Sequence, residues 1–354
     1  MPPPGPTCPT DLLRQEPPTA GARIQPAFAL RDKAPDMSVT RGRKAVPDTS
    51  MRAKNTRHAN SPNRPARRTP LAGKTLLGLM TGLSLGLGVA CAPSAPAHAA
   101  EASACRQLPA SVLFEQRTWT EIRDGLACGV TTVIIPVGGT EQSGPYIAVG
   151  KHNVRVLAQA ERIARAAGNT LVAPVMAYVP EGGTKPRTSH MRFAGTLSIP
   201  PDVFEKLVQS AAESLRVQGF TLVVLLGDHG GYQTQLKQAA DTLNTAWRGT
   251  GAKALYVRAY YDVLPHQYAD WLKKNGHEKE VGLHAELSDT ALMLAVDPTM
   301  VRQQALRAGP APTAAQGIYG GDPRGASAAL GQPGLDMQVR AATQAIEAAR
   351  TPPP

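Results

Sequence analysis

The chain has 354 residues and a formal net charge of +11, a balance that suggests a nucleic-acid-binding function. The charge is concentrated at one end, because the first 100 residues hold 14 Lys and Arg against 5 Asp and Glu, out of 38 and 27 in the whole chain. The rest is nearly neutral, which excludes nucleic acid as a partner of the part that can fold. The 4 cysteines include no CxxC pair, so zinc-finger and thioredoxin chemistry are unsupported.

We predict that residues 1–73 form a disordered, basic and proline-rich leader. They are rich in Pro, Arg, Ser and Thr, and they show few aromatic residues and no sustained apolar period. A segment of this composition cannot bury a core. An upstream mis-start before Met51 is the alternative interpretation.

Residues 74–99 have the three-part layout of a secretory signal peptide. Basic residues precede the apolar stretch 75–90, and Ala97 and Ala99 provide the small residues of a cleavage site. The apolar stretch is too short for a stable membrane span. We therefore expect export, with cleavage near Ala99.

Cleavage there leaves an exported domain of residues 100–354, which we expect in the periplasm or the medium. The sequence before Cys91 resembles a lipobox with a poor first position, so a lipid anchor is the less favoured alternative. In an oxidising compartment Cys105 and Cys128 either form one disulfide or remain two thiols, and the sequence leaves both open.

The exported domain alternates apolar runs with amphipathic stretches. Runs of strand length begin at Thr132, Leu171, Leu222 and Ala252. Strands that alternate with helices pair in parallel through right-handed crossovers. The sequence therefore predicts a single three-layer α/β/α domain with a mostly parallel sheet. The predicted helices cover 154–167, 201–215, 233–247, 289–296 and 337–349.

Polar residues suited to a site lie at or near the ends of these elements. Glu141 and His152 follow the first strand after a Gly-rich turn, and His229 follows the strand that begins at Leu222. With Asp289 they form a candidate ligand set for Zn²⁺ or Mn²⁺, because imidazole and carboxylate suit these metals. Taken alone, each of the four is more typical of a structural histidine or a solvated carboxylate.

The succession of motifs resembles the creatininase (creatinine amidohydrolase) family. The matching motifs are PVGGTEQSGPY, HMRFAGTLSIP, GDHGG and HAELSDTALML, in that order, within residues 111–351. The family includes hydrolases of cyclic amides and formamides and some peptidases. The resemblance implies a creatininase-like α/β/α fold, hydrolysis of C–N bonds and a homo-oligomer.

The resemblance also implies roles for single residues. Glu141, His152, His229 and Asp289 are the implied metal ligands, with His284 as the acid–base group and Asp289 counted with it as catalytic. His152 stands where the family has a bridging Asp, which favours one metal ion over two. Four further residues are assigned to substrate contacts or support: Ser143, Tyr146, His190 and Asp228.

The sequence thus predicts metal-assisted hydrolysis of a small amide, cyclic amides included. The metal would activate water and polarise the carbonyl, and His284 would pass a proton to the departing nitrogen. Ser143 and His152 depart from the family pattern, so a degenerate member that binds a ligand without turnover stays open. An exported metallopeptidase with the same ligands is the other alternative.

Overall fold

Four short strands form the parallel sheet that positions the site. In the computed structural model they run in the order β2-β1-β3-β4, and every residue of β1 and β3 is buried. Val137 at the end of β1 pairs with Gly227 at the end of β3, so the polar segments that follow the two strands begin side by side. The strands are β1 (Thr132–Val137), β2 (Thr170–Val172), β3 (Leu222–Gly227) and β4 (Lys253–Tyr256).

Nine α-helices lie in the range 109–350, which is the range that the structure describes. They are α1 (Trp119–Ala127), α2 (Lys151–Ala167), α3 (Pro201–Arg216), α4 (Gln233–Ala246), α5 (Arg258–Asp262), α6 (Ala269–Leu272), α7 (Leu287–Val296), α8 (Gln303–Ala308) and α9 (Ala328–Arg350). Short helical turns connect several of them. Among these residues no helix has the length and apolar character needed to cross a membrane.

Successive residues of the central strands pack into two different cores. Val133 and Ile135 of β1 join α1, α3 and α4 on one face of the sheet. Ile134, between them, joins α2 and α9 on the other face. This alternation follows from the period of two residues in a strand. The predicted α/β/α architecture is therefore confirmed, and truncation of a fully buried core residue such as Phe204 to Ala would cost about 3–5 kcal/mol.

Two helices begin three or more residues earlier than their apolar periodicity predicts, and α7 begins two residues earlier, at Leu287. Helix α2 begins at Lys151 rather than 154, because its first turn is polar and buried against the site. Helix α9 begins at Ala328 rather than 337 and contains Pro333. A Cβ on Gly331 would lie 2.1 Å from the carbonyl oxygen of Ala291, so this glycine permits the close packing of α9 on α7.

Several predictions concern residues outside the described range. The leader 1–73, the signal segment 74–99, Cys91 and Cys105 all lie there. Cys128 lies inside the range and is disulfide-bonded.

Candidate metal centre

Four polar side chains converge beyond the carboxyl ends of β1 and β3. Glu141 follows β1, His229 follows β3, and Glu181 and His190 come from the long segment between β2 and α3. One ligand atom from each lies within 4.8 Å of the others. We call Glu141, Glu181, His190 and His229 the ligand group.

Three of the four carboxylate oxygens in the ligand group are buried and lack a hydrogen-bond donor within residues 109–350. Glu141 is 0% exposed and Glu181 is 2% exposed. His190 Nε2 and His229 Nε2 lie 3.1 and 3.2 Å from Glu141 Oε2, and His229 Nδ1 lies 3.5 Å from Glu181 Oε2. Within residues 109–350, Glu141 Oε2 and both oxygens of Glu181 accept no well-formed hydrogen bond. Buried carboxylate oxygens left in this way are costly, and a cation would satisfy them.

The protonation states of the ligand group follow from its burial. Burial, followed by the negative charge of Glu141, raises the pKa of Glu181 to about 10. Burial lowers the pKa of His190, so its ring is neutral at neutral pH. Burial would also raise the pKa of Glu141, but neighbouring His229 and Lys151 hold it well below its usual value. A set of two imidazoles and two carboxyl groups suits Zn²⁺ or Mn²⁺.

Backbone geometry allows these side chains to approach one another. A Cβ on Gly139, whose φ is +144°, would lie 2.6 Å from Glu181 Oε1. A Cβ on Gly231 would lie 2.7 Å from the His229 ring. Ser189, directly before His190, has a φ of 49°, a left-handed conformation that costs free energy in residues other than glycine. The local backbone is thus shaped around the ligand group.

A second set of buried charges adjoins the ligand group, and we call it the cation-paired group: Lys151, His152, Arg155, Asp228 and Asp289. Lys151 and Arg155 lie four residues apart on α2 and therefore share a face. Lys151 Nζ lies 2.6 Å from Asp289 Oδ2, and Arg155 Nη1 lies 3.0 Å from Asp289 Oδ1. Arg155 Nη2 also lies 2.8 Å from Asp228 Oδ2. Neither cation is more than 1% exposed.

His152 connects the two groups. Its Nε2 lies 2.8 Å from Glu141 Oε1 and its Nδ1 lies 2.6 Å from Asp228 Oδ2. Tyr260 donates from its hydroxyl to Asp228 Oδ1 at 2.7 Å. Burial would raise the pKa of Asp228, but Arg155 and His152 lower it. Both ring nitrogens of His152 are therefore occupied by carboxylates.

Asp289, like Asp228, lies beside buried cations and has a lowered pKa. Its Oδ2 accepts from the backbone N–H of Ala285 at 2.9 Å in addition to Lys151. Burial would raise the pKa of Asp289, but Lys151 and Arg155 outweigh burial and hold it well below its usual value. At neutral pH this carboxylate is ionised and has a donor at each oxygen.

His284 lies next to Glu141 and lines a cavity. Its Nδ1 is 3.6 Å from Glu141 Oε1, and its Nε2 is 2.9 Å from the backbone oxygen of Gln142. Burial, followed by the charge of Lys151, lowers the pKa of His284 to about 3. His284 lines a cavity of about 580 Å³ together with His190 and His229.

The structure brings only part of the predicted ligand set together. Glu141 and His229 belong to the ligand group, whereas Asp289 and His152 do not, because their polar atoms are held by cations and carboxylates. His190, expected at the substrate or in a supporting position, lies in the ligand group instead.

The structure also shows where the other residues predicted to contact or support the substrate lie. Asp228 supports His152 rather than His229. Ser143 is 1% exposed and Tyr146 is 8% exposed, and Tyr146 packs in an apolar cluster with Ile147 and Ile318. Neither Ser143 nor Tyr146 lines the cavity. Their roles at the substrate stay predictions.

Three residues of the site were not predicted. Glu181 stands between Pro180 and two glycines, a context in which a carboxylate can approach other groups closely, and this was the available signal. No sequence signal pointed to Lys151 and Arg155, because charged residues of a helix are almost always solvent-exposed.

A family model described as Creatininase: Creatinine amidohydrolase matches residues 115–346. Creatinine amidohydrolase of Pseudomonas putida is 26% identical over 199 residues, which are 54% of this chain and 74% of that protein. The 3-dehydro-scyllo-inosose hydrolase of Thermotoga maritima is 31% identical over 124 residues, 34% of this chain and 37% of the relative. The mycofactocin precursor peptide peptidase of Mycobacterium tuberculosis is 30% identical over 129 residues, 34% of this chain. The chain spans less than half of the last two relatives, 37% and 49%.

Solved structures show the same fold. A crystal structure of creatinine amidohydrolase is 24% identical, with a TM-score of 0.57, and the match covers 69% of this chain and all of that one. A creatininase variant designated Zn-Zn type is 25% identical, with a TM-score of 0.57 over 69% of this chain. A creatininase designated Mn is 25% identical, with a TM-score of 0.56 over 68% of this chain. These two matches also cover the full length of the other chain.

Proposed function

Because this chain belongs to the creatininase family, we propose that it is a metal-dependent hydrolase that cleaves the C–N bond of an amide. One observation carries the proposal: the buried, donor-free Oε2 of Glu141 and both oxygens of Glu181 lie near two histidines that line the cavity. The cavity volume of about 580 Å³ lies in the range typical of small-molecule sites. The substrate is therefore a small amide, and cyclic amides are included.

The ligand group would hold the metal ion. Its oxygen and nitrogen donors fit Zn²⁺ or Mn²⁺, the metals named for similar creatininase structures. Such an ion supplies Lewis-acid polarisation of the amide carbonyl and lowers the pKa of water. His190 and His229, which line the cavity, would hold the ion together with the two glutamates.

His284 would move the proton that amide cleavage requires. Its Nε2 donates to the carbonyl of Gln142, and this tautomer leaves the lone pair on Nδ1. With a pKa near 3 the ring is neutral at neutral pH and can accept a proton at Nδ1. The same low pKa means that it gives the proton up readily, as the departing nitrogen needs. His284 therefore acts as a transient carrier rather than a proton store.

Hydrolysis assays on a panel of amides test the proposal. The panel contains creatinine, other cyclic amides, formamides and short peptides, and each assay is repeated after chelation. We expect turnover of at least one small amide, lost on chelation. His229→Ala should lose both the bound metal and more than about 100-fold of the activity, beyond the loss typical of outer partners of a metal ligand. The exposed His266→Ala is the matched control and should change neither.

The outcomes separate the alternatives. A protein without metal, on which His229→Ala has no effect, contradicts the hydrolase. Metal binding without turnover of any amide indicates a degenerate member. Cleavage of peptides alone indicates a metallopeptidase; the Mycobacterium tuberculosis relative is named as a peptidase.

We also propose that the domain is exported to the periplasm or secreted and that it forms a homo-oligomer. The signal layout before Ala99 supports export, and the family resemblance supports the oligomer. Mass spectrometry of the mature N-terminus should show a chain that begins near residue 100. Light scattering of that mature protein should give a mass of several chains, and a monomer at working concentration would contradict the oligomer.

A further inference from the structure

We propose that the Lys151 ammonium occupies the position of a second metal ion, so that the site holds one divalent ion per chain. The inference deepens the proposed function and rests on it. A similar solved structure is designated Zn-Zn type, so the number of ions has to be derived for this chain from its own residues.

Glu141 presents its two oxygens to two different cation positions. Oε2 faces His190 and His229 of the ligand group. Oε1 faces the other way, where Lys151 Nζ lies 3.4 Å away. The same ammonium lies 2.6 Å from Asp289 Oδ2. Lys151 Nζ therefore bridges two carboxylates, which is the place that a second ion beside Glu141 would take.

The groups around this position are already satisfied. Asp289 Oδ1 accepts from Arg155, and Oδ2 accepts from Lys151 and from the backbone of Ala285. Two other nitrogens lie near Glu141 Oε1: His152 Nε2, which is held by that oxygen at 2.8 Å, and His284 Nδ1 at 3.6 Å. A divalent ion would have to displace the donors on Asp289 and Glu141 and lie beside two buried cations, against Coulomb repulsion that burial strengthens. Asp289 and His152 offer it no vacant ligand atom.

Asp228 also has a hydrogen-bond donor at each of its carboxylate oxygens. Its Oδ2 accepts from Arg155 and His152, and its Oδ1 accepts from Tyr260. The cation-paired group thus has a donor for every carboxylate oxygen. The ligand group has the opposite character, because Glu141 Oε2 and both oxygens of Glu181 have no donor among residues 109–350. Only one of the two positions is prepared for an ion.

Lys151 has a consequence for the metal dependence of the enzyme. The Lys151 side chain is part of the polypeptide, so removal of the metal ion leaves it between Glu141 and Asp289. Reconstitution of the metal-free protein should then follow binding at a single class of site. Activity should rise in proportion to the first equivalent of metal and stay level with further equivalents.

Metal stoichiometry tests the inference. Metal-free protein is equilibrated with excess Zn²⁺, desalted and measured by elemental analysis, and zinc binding is followed by calorimetry. We expect one ion per chain in the wild type. Lys151→Met removes the ammonium while keeping an unbranched side chain, so Glu141 Oε1 and Asp289 Oδ2 become available and the count should rise to two. Lys237→Met is the matched control, because Lys237 forms an exposed pair with Asp241, and it should stay at one.

Lys151→Arg retains the positive charge and should stay at one ion per chain. Circular dichroism and thermal unfolding show whether Lys151→Met folds. If it does not, native mass spectrometry of the wild type and of Lys151→Arg still counts the ions directly, and one ion in each is the expected result.

The number of bound ions distinguishes failure of this inference from failure of the proposed function. Two ions per wild-type chain overturn the role of Lys151 but leave the hydrolase intact. A folded Lys151→Met protein that still binds one ion also overturns it, because the ammonium then excludes nothing. A wild type that binds no ion overturns the proposed function, and this inference with it.

Discussion

Glu181 of the ligand group and Asp289 of the cation-paired group are both shielded from solvent, and their pKa values shift in opposite directions. Burial raises the pKa of Glu181 to about 10, whereas the pKa of Asp289 falls well below its usual value although burial acts on it too. The difference lies in the neighbours, because Lys151 and Arg155 face Asp289 and a negatively charged Glu141 faces Glu181. Burial alone therefore does not decide the state of a carboxyl group; the charges next to it do.

The two groups also differ in whether their carboxylate oxygens have hydrogen-bond donors. In the cation-paired group the positive charges are side chains, and the hydrogen bonds are complete. In the ligand group, Glu141 Oε2 and both oxygens of Glu181 lack donors within the described residues. A cation would satisfy these oxygens, whereas the carboxylates of the cation-paired group already have donors.

The largest effect is expected where the two groups share a residue. Glu141→Gln removes the one carboxylate that contacts both Lys151 and the two histidines of the ligand group. We expect loss of the bound metal and loss of activity by more than about 100-fold, beyond the effect of outer partners. Elemental analysis and amide hydrolysis measure the two losses. Glu115→Gln, at an exposed position, is the control, and a Glu141→Gln protein that keeps its metal would contradict the shared role.

Asp289→Asn should act on stability rather than on metal content. It leaves Lys151 and Arg155 without one of their carboxylates in a buried place, which costs about 3–5 kcal/mol. Denaturant unfolding of the metal-free protein measures this loss, and the number of bound ions should stay at one. Asp241→Asn, in the exposed pair with Lys237, should change the free energy of unfolding by less than about 0.5 kcal/mol. A stable Asp289→Asn protein that has lost its metal would show that Asp289 is a ligand after all.

Glu181→Gln should show the reverse pattern. The metal affinity should fall by about 10- to 100-fold, the range reported for partners of a metal site. The metal-free protein should be at least as stable as the wild type, because a neutral amide replaces a carboxyl that is already protonated at neutral pH. Zinc calorimetry and thermal unfolding of the metal-free form measure the two quantities. Equal zinc affinity in Glu181→Gln and wild type would remove Glu181 from the ligand group.

The pH dependence of metal binding follows from the raised pKa of Glu181. With a pKa of about 10 it carries a proton at pH 7.5, and it must release that proton to bind a cation. His190, whose pKa is lowered by burial, has no proton to release. Zinc affinity should therefore rise about tenfold for each pH unit between about 7 and 9, and calorimetry in buffers of different ionisation enthalpy should show one proton released. Glu181→Gln should abolish this release, and an affinity that is independent of pH would contradict the assignment.

The smallest effect is expected from the turn that admits Glu181. Gly139→Ala places a methyl group 2.6 Å from Glu181 Oε1 at a φ of +144°, so the carboxyl has to move. We expect a loss of metal affinity of a few-fold and a loss of about 1 kcal/mol of stability. Gly249→Ala, also at positive φ but with no atom within 4 Å, should lose stability alone. If both variants bind zinc equally well, the close approach of Gly139 is not needed.

The fold could be predicted because its signals are local. Runs such as 133–135 and 222–226 are apolar and bounded by glycine or proline, and both proved to be central strands of the sheet. The boundaries failed where tertiary contacts override local pattern. The start of α2 is polar because it faces the site, and α9 continues through Pro333 because it packs closely on α7.

The site could be predicted only at residues that stand beside strand ends. Glu141 and His229 follow β1 and β3, and the parallel sheet brings them together. Glu181 and His190 arrive from a long segment whose course no local pattern determines. Asp289 was predicted as a ligand from its place at the start of a helix and from the family resemblance, and its partners Lys151 and Arg155 depend on the packing of α2 against α7.

A crystal structure of the zinc-loaded wild type, with anomalous diffraction at the zinc edge, would show which residues hold the ion. We expect an anomalous peak within bonding distance of the ligand group: Glu141, Glu181, His190 and His229. A peak held by His152 and Asp289 instead, with Lys151 displaced, would mean that the ligand group is not the metal site.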